Sequence, residues 1–145
     1  MNVSRGVQGY LAGLIDADGS IAVSRRKDPS GSYVYSLRLT ITNTDGGLIQ
    51  WLFETFGGHT FKRVRSEKYA KRWKPEHRWG CAGFHAANLL ALCVPYMICK
   101  KERALLGLEF ASTLQGRGKR LTEQTLEHRQ RLYLAMRAEN QRGKS

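Results

Sequence analysis

Two spacings of apolar residues alternate along the chain, and together they predict a mixed α+β fold. Residues 7–17 carry apolar and small side chains at helical spacing, which predicts a first helix. Residues 20–27 and 33–42 alternate with a period of two around the turn sequence Asp28-Pro29-Ser30-Gly31, which predicts a β-hairpin. A helix therefore leads directly into a pair of antiparallel strands.

The rest of the chain repeats this arrangement. Thr44 or Asp45 can cap a second helix, which Gly57-Gly58 ends and whose apolar positions are Leu48, Trp51, Leu52 and Phe56. A second hairpin is predicted at residues 60–65 and 78–84, and further helices at 85–93, 98–114 and from Thr122 onward, with residues 140–145 frayed. The predicted fold class is α+β, in the order αββαββα plus an extra C-terminal helix, within a single domain of residues 1–145.

The two faces of the first predicted hairpin differ in chemistry. Its apolar face is predicted to join the core and comprises Ile21, Val23, Tyr33, Tyr35, Leu37, Leu39 and Ile41. The opposite face is small, polar and basic, with Ser20, Ala22, Ser24, Arg26, Ser36, Arg38, Thr40 and Thr42. In the third strand Phe61 and Val64 imply opposite registers, so the pattern leaves the faces of Lys62 and Arg65 undecided.

The charge of the chain narrows the class of partner. Lys and Arg number 24 against 12 acidic residues, which gives a net charge of +12. A field of this sign concentrates polyanions at the surface, so nucleic acid is the expected partner. No apolar run of membrane-spanning length and no secretory signal is present, which predicts an intracellular protein of a prokaryotic cytoplasm or an organelle and no membrane partner.

Cysteine and histidine do not predict a metal site. Cys81, Cys93 and Cys99 are odd in number and contain no C-x-x-C pair, so we expect three small buried thiols and neither disulfides nor zinc. The four histidines stand at no metal-binding spacing from them. Trp51 and Trp79 are at core spacing, while Trp73 between two basic residues is left open as a stacking group.

The first helix ends in a way that predicts a cation. Asp16 and Asp18 stand at its C-terminus, where unpaired carbonyl groups and the helix dipole already make the field negative. Oxygen ligands of this kind suit a hard ion such as Mg²⁺. Gly9 and Gly13 lie one helical turn apart on the same helix, which favours close approach of another backbone.

Residues 11–19 read Leu-Ala-Gly-Leu-Ile-Asp-Ala-Asp-Gly, and this nonamer resembles the motif of the LAGLIDADG homing endonucleases letter for letter. The similarity continues in Gly19-Ser20-Ile21, in Ile41-Thr42-Asn43-Thr44-Asp45, in Phe56-Gly57-Gly58 and in Lys100 after Pro95. It covers roughly residues 7–114. The resemblance implies an antiparallel, saddle-shaped sheet that lies over the major groove of DNA.

The resemblance also implies roles for individual residues. Asp18 is the expected metal ligand, with the carbonyl of Ala17 as a second contact, and Lys100 and Asn43 complete the catalytic set. Lys101 is close enough to leave the assignment of the catalytic lysine open. Asp16 is interpreted as a residue that caps the helix end or packs at the subunit contact, with direct catalysis as the alternative.

The predicted DNA-binding residues lie mostly on the polar strand face, where Arg can present two donors to guanine. They are Ser20, Ala22, Ser24, Arg26, Ser36, Arg38, Thr40, Lys62, Arg65 and Arg78. The basic connection from Lys68 to Lys74 is expected to contact phosphates, which position a protein without specifying a sequence.

One Asp18 per chain is too few for a two-metal site, so we expect a homodimer. The helix of residues 7–18 would form its interface through Gly9, Ala12, Gly13 and Asp16, with the two Asp18 side chains near the two-fold axis. The expected activity is intron-encoded, site-specific and Mg²⁺-dependent cleavage of double-stranded DNA at a long pseudo-palindromic site, leaving 3′ overhangs. Two alternatives keep the same fold: an RNA maturase that binds intron RNA, and a non-catalytic DNA-binding regulator.

Overall fold

The structure is a computed structural model that describes residues 2–63, 74–115 and 121–142. The first half comprises α1 (Arg5–Asp18), β1 (Gly19–Lys27), β2 (Tyr33–Asn43) and α2 (Gly46–Phe56). The second half comprises β3 (His59–Arg63), β4 (Glu76–Ala82), α3 (Gly83–Cys93), a 3-10 turn (Val94–Tyr96), α4 (Lys101–Ala111) and α5 (Glu123–Arg142). The predicted order αββαββα is confirmed over these residues, and α4 and α5 follow α3 as two further helices.

Among the described residues, the strands form one antiparallel sheet in the order β1-β2-β4-β3. The register pairs Ser20 with Thr40, Thr40 with Gly80, and Gly80 with His59. Because the side chains of paired residues share a face, this register assigns every strand residue to one of two faces.

The helices cover the apolar face of the sheet. Ile21, Leu37, Leu39, Ile41 and Trp79 are fully buried there, and they form one core with residues of all five described helices. The other face stays exposed or half-buried along β1 and β2. We call it the polar face.

The polar face differs from the prediction at the third strand. Phe61 pairs with Arg78 and so lies on the polar face, and Lys62 pairs with His77 on the opposite one. The expectation that Lys62 belongs with the DNA-binding residues is therefore wrong for this register. Arg65, the connection from Lys68 and Trp73 lie outside the described residues.

Several boundaries of strands and helices also differ from those predicted from the sequence. β4 ends at Ala82 because Gly83 (φ +61°) begins α3 there, two residues before the predicted strand end. α4 begins at Lys101 and not at Ile98, because the backbone N–H groups of residues 98–100 are bound by a side chain of α1. α5 begins after Thr122, whose hydroxyl accepts from the N–H of Thr125 at 3.2 Å. It continues to Arg142.

The thiols divide into two groups. Cys81 and Cys93 are buried as expected, and burial raises the pKa of each to about 12. Cys99 is exposed, which corrects the expectation of three buried thiols.

Trp79 is fully buried, and Trp51 packs edge-on against Tyr10 and Phe56, so both act in packing. Within the described ranges, no helix has the length and apolarity needed to cross a membrane.

Candidate active site

The end of α1 is held close to the sheet by a glycine. A Cβ at Gly19 would lie 2.7 Å from both the Cα and the carbonyl oxygen of Ile15, so any larger residue would displace the helix from the strand that follows it. The N–H of Gly19 donates to the carbonyl of Ile15, which ends the helix. This close approach fixes Asp18 at the junction between α1 and β1.

Asp16 is engaged by the loop that precedes α4. Its two carboxylate oxygens accept hydrogen bonds from the backbone N–H groups of Ile98 (2.8 Å), Cys99 (3.1 Å) and Lys100 (3.0 Å). Hydrogen bonds to an ionised acceptor are among the stronger ones in proteins. Asp16 therefore links the end of α1 to the start of α4, a contact across more than 80 residues of sequence that the sequence alone did not reveal.

Asp18 is exposed and points toward the end of β2. One of its oxygens accepts a hydrogen bond from Nδ2 of Asn43 at 3.0 Å. The other end of that amide accepts from the N–H of Asp45 at 2.8 Å, which fixes which way the amide faces. Asp45 in turn caps α2 by accepting from Gly47 and Leu48. The N-terminus of α2 thereby orients Asn43, and Asn43 orients Asp18.

Lys100 lies against the C-terminal turn of α1. Its Nζ donates to the carbonyls of Gly19 (2.6 Å) and Ile15 (3.0 Å). Burial lowers the pKa of Lys100 and the charge of Arg103 lowers it further, whereas Asp16 and Asp18 act in the opposite direction. Lys101 is exposed. The geometry thus brings Lys100, and not Lys101, to the end of the helix that carries Asp18.

Lys100 partly compensates the negative charge that the sequence places at the C-terminal end of α1. The negative end of α1 receives a cation from within the chain, because the ammonium group binds its terminal carbonyls. Asp18 remains at the rim of this arrangement, and the described residues give it the single hydrogen-bond donor Asn43. Its carboxylate keeps acceptor sites for a further ligand.

A metal ion could be held here by oxygen atoms of Asp18 and by the carbonyl of Ala17, an exposed residue. Carboxylate, carbonyl and water oxygens are the donors that Mg²⁺ takes in proteins, so the donor set fits. Among the described residues, no group of three or more Asp, Glu, His or Cys side chains is placed to hold a metal. Because the carboxylate of Asp16 binds the backbone of residues 98–100, Asp18 is the acid of this helix end that is open to a metal ion.

The polar face brings together eight of the ten predicted DNA-binding residues. These are Ser20, Ala22, Ser24 and Arg26 on β1, Ser36, Arg38 and Thr40 on β2, and Arg78 on β4. Sequence reasoning missed His59, Phe61 and Arg63, which share the same face through their pairing with Gly80, Arg78 and Glu76. The alternation of β3 could have revealed Arg63 only if the register of Phe61 had been known.

The predicted interface residues of α1 are not equivalent. A Cβ added at Gly9 or Gly13 would meet nothing within 4 Å, so both glycines face open space. Ala12 is fully buried in the core of its own chain, and its prediction as an interface residue is wrong. The carboxylate of Asp16 is occupied by residues 98–100, so its role lies within the chain.

Comparison of sequences finds no relative: neither a protein-family model nor a curated protein matches this chain. Comparison of structures, in contrast, finds proteins with a similar fold. The homing endonuclease I-CvuI in complex with its target superposes with a TM-score of 0.75 at 19% identity, over 93% of this chain and 82% of that one. The archaeal intron-encoded homing endonuclease I-Vdi141I, complexed with DNA, gives 0.75 at 22% identity over 92% and 84%.

The LAGLIDADG homing endonuclease I-SmaMI, bound to cleaved DNA, gives a TM-score of 0.71 at 22% identity. The match covers 89% of this chain and 43% of that one. This chain therefore corresponds to less than half of I-SmaMI but to most of I-CvuI and I-Vdi141I. At these identities the likeness is one of fold, and it agrees with the motif in residues 11–19.

Proposed function

We propose that this chain, which has the fold of the LAGLIDADG homing endonucleases, is a metal-dependent endonuclease that cuts double-stranded DNA at a specific site as a homodimer. The observation that carries the proposal is the position of Asp18. It stands exposed at the junction of α1 and β1, held by Asn43 and next to Lys100, and β1 continues from it into the polar face. A charged site is thereby joined to a surface suited to DNA.

The charge distribution supports DNA as the substrate. The chain carries a net charge of +12, and Arg26, Arg38, Arg63 and Arg78 all lie on the polar face. Arginine binds both phosphates and the guanine edge in the major groove. The proteins with the same fold described above were solved with DNA bound.

Asp18 and the carbonyl of Ala17 would hold a divalent ion, with Mg²⁺ as the expected one. When bound, such an ion supplies charge stabilisation at the phosphate and a water of lowered pKa. One I-CvuI structure holds DNA in the presence of Ca, and another holds DNA in the presence of Mg, in which the DNA is not cleaved. The carboxylate of Asp18 is ready for this role because Asn43 already fixes its orientation.

Lys100 and Asn43 act through the chain's own contacts. The ammonium group of Lys100 is held at the carbonyls of Ile15 and Gly19, so its position is set before DNA arrives. A preset cation near the scissile phosphate stabilises the negative charge that develops there without reorganisation at the moment of reaction. Asn43 keeps the Asp18 carboxylate facing the same point.

A second copy of the chain completes the site. If the open glycine face of α1 (Gly6, Gly9 and Gly13) packs against the same face of another copy, the two Asp18 residues approach the two-fold axis. Close packing of two helices needs small residues, and this face provides them. I-SmaMI is more than twice as long, so one chain of that length can accommodate two such units.

Cleavage of a natural target would test the proposal. The two sequences that flank the mobile element carrying this gene would be joined into one duplex and incubated with the protein and Mg²⁺, with EDTA and the Asp18→Asn variant as controls. We expect a staggered cut with 3′ overhangs that is absent from both controls. Tight binding without any cut would instead favour a DNA-binding regulator, and tighter binding of the intron RNA than of the duplex would favour a maturase.

A further inference from the structure

Two arginines on the polar face are held in place by neighbouring side chains. The Nε–H of Arg38 donates to the hydroxyl of Ser24 at 3.2 Å, and that hydroxyl lies 2.6 Å from the hydroxyl of Ser36. Either serine hydroxyl can donate to the other, and the Ser24 hydroxyl also donates to the carbonyl of Ser36 at 3.4 Å. Both serines are half-buried, which limits the rotamers open to them.

Arg78 is held in a different way but with the same result. Its Nε–H donates to the hydroxyl of Thr42 at 3.3 Å, and its guanidinium carbon lies 4.8 Å from the centre of the Phe61 ring. A cation–π contact of this kind restrains the position of the guanidinium group. Phe61 is an exposed aromatic side chain on this face, and this contact gives it a role.

In each case the anchor uses Nε and leaves the two terminal nitrogens. A guanidinium group has five N–H donors, and four of them belong to the terminal nitrogens that form the planar fork. Such a fork matches O6 and N7 of guanine in the major groove. Small residues flank Arg38 in the register, Ala22 on one side and Ala82 on the other, so neighbouring strands leave space around it.

We propose that Arg38 and Arg78 each read one guanine in every half-site, with Ser24, Ser36, Thr42 and Phe61 as their positioning residues. This rests on the proposed DNA-binding function. Ordering a long side chain before binding reduces the entropy lost when the complex forms, so an anchored arginine discriminates more sharply than a free one. Arg26 lies on the same face, but the described residues offer it no hydrogen bond that would orient it, so no base preference is assigned to it.

The register sets the separation of the two guanines. Arg78 pairs with Thr42, and Arg38 lies four residues from Thr42 along β2. Four residues of a strand span about 13 Å, which corresponds to about four base pairs at 3.4 Å each along the duplex. Thr42 is next to Asn43, the partner of Asp18, so Arg78 reads the guanine nearer to the cleavage position and Arg38 the outer one.

The test is a selection from a pool of duplexes with a long randomised segment, bound by the protein in EDTA so that sequencing reports binding alone. The wild-type protein is expected to enrich a two-fold-related pattern with two guanines about four base pairs apart in each half. Arg38→Lys keeps the charge but removes the fork, and we expect it to lower the outer guanine preference about tenfold. Arg78→Lys is expected to do the same at the inner position.

The positioning residues and a matched control complete the experiment. The double change Ser24→Ala and Ser36→Ala should weaken the outer preference alone, and Thr42→Val the inner one alone. Arg131→Lys, at an exposed position of α5 outside the polar face, is the control and should leave every preference unchanged. An unchanged outer preference in a folded Arg38→Lys protein, or a wild-type pattern without paired guanines, overturns the inference. No enrichment of any duplex overturns the proposed function as well, which distinguishes the two failures.

Discussion

Helix α1 contains two regions. They differ in whether the rest of the chain covers their surface and supplies hydrogen-bond donors to their carboxylates. Leu11, Ala12 and Ile15 are fully buried, and Asp16 has three N–H donors for its carboxylate. Gly9 and Gly13 meet nothing within 4 Å, and Asp18 is exposed with Asn43 as its donor. We call the first set the satisfied region and the second the unsatisfied region.

The difference shows why one short motif contains two aspartates. Asp16 and Asp18 are two residues apart and chemically identical, yet the helix directs one toward the loop before α4 and the other toward β2. The first contributes to folding because its hydrogen bonds exist within the chain. The second has acceptor sites left over, as a residue that binds a ligand must. Changes in the two regions should therefore affect different properties.

The largest expected effect is the loss of cleavage in Asp18→Asn. The charge of the proposed metal ligand disappears, and we expect the loss of several kcal/mol of charge stabilisation to slow cleavage by about a thousandfold or more. The free energy of unfolding should stay within about 0.5 kcal/mol of the wild-type value, or rise slightly, because a negative charge at a helix C-terminus is unfavourable. Single-turnover cleavage and urea denaturation measure the two quantities. Normal cutting by this variant would contradict the assignment of Asp18.

Asp16→Ala is expected to have the converse effect on stability. It removes the acceptor for three backbone N–H groups, and we expect the free energy of unfolding to fall by about 2–4 kcal/mol. Asp16→Asn keeps one acceptor oxygen and should lose less. Urea denaturation gives the free energy of unfolding of Asp16→Ala and of the matched control Asp18→Ala, so two positions of one motif are compared directly. Equal stability of the Asp16→Ala and Asp18→Ala proteins would remove the distinction between the two regions.

Gly13→Leu and Ala12→Leu extend the comparison to neighbouring positions of α1. Leu at Gly13 meets open space in the monomer and improves helix propensity, so the monomer should gain up to about 1 kcal/mol of stability while the proposed homodimer should dissociate. Leu at Ala12 enters a full core and should cost about 1–3 kcal/mol. Sedimentation gives the oligomeric state and thermal unfolding the stability. A Gly13→Leu protein that sediments as a dimer would exclude this helix as the interface.

The smallest effect is expected in thiol labelling. The labelling rate of the buried Cys93 reports whether the contact between Asp16 and residues 98–100 keeps reagent away from that thiol. Burial raises the pKa of Cys93 to about 12, and the charge of Asp16 raises it too. At pH 8, far below that pKa, the Cys93 thiol is almost wholly protonated, and its thiolate fraction grows with rising pH. We expect one thiol of the native protein, the exposed Cys99, to react quickly, and three in denaturant. In Asp16→Ala, labelling of Cys93 should become faster; an unchanged rate would show that Asp16 does not close this region.

Much of the fold could be predicted because it depends on local patterns. The alternation in residues 33–42 predicted both faces of β2, since period-two spacing acts over a few residues. The prediction that Thr44 or Asp45 begins α2 and Gly57-Gly58 ends it is also confirmed, with Asp45 as the cap. The errors came from contacts distant in sequence. The start of α4 was misplaced because Asp16 binds residues 98–100, and Lys62 was misassigned because the register of β3 depends on β4.

By itself, the sequence determined the order of elements, the polar face of the first hairpin, the positive charge and the position of Asp18 at the end of a helix. The tertiary structure decided which acid is free, because both aspartates follow the same local pattern and differ only in what the rest of the chain brings to them. It likewise decided that Lys100, and not Lys101, lies at the end of α1, and that neighbouring side chains hold Arg38 and Arg78 in place. These outcomes depend on distances between residues far apart in the chain, which folding fixes and a linear pattern does not contain.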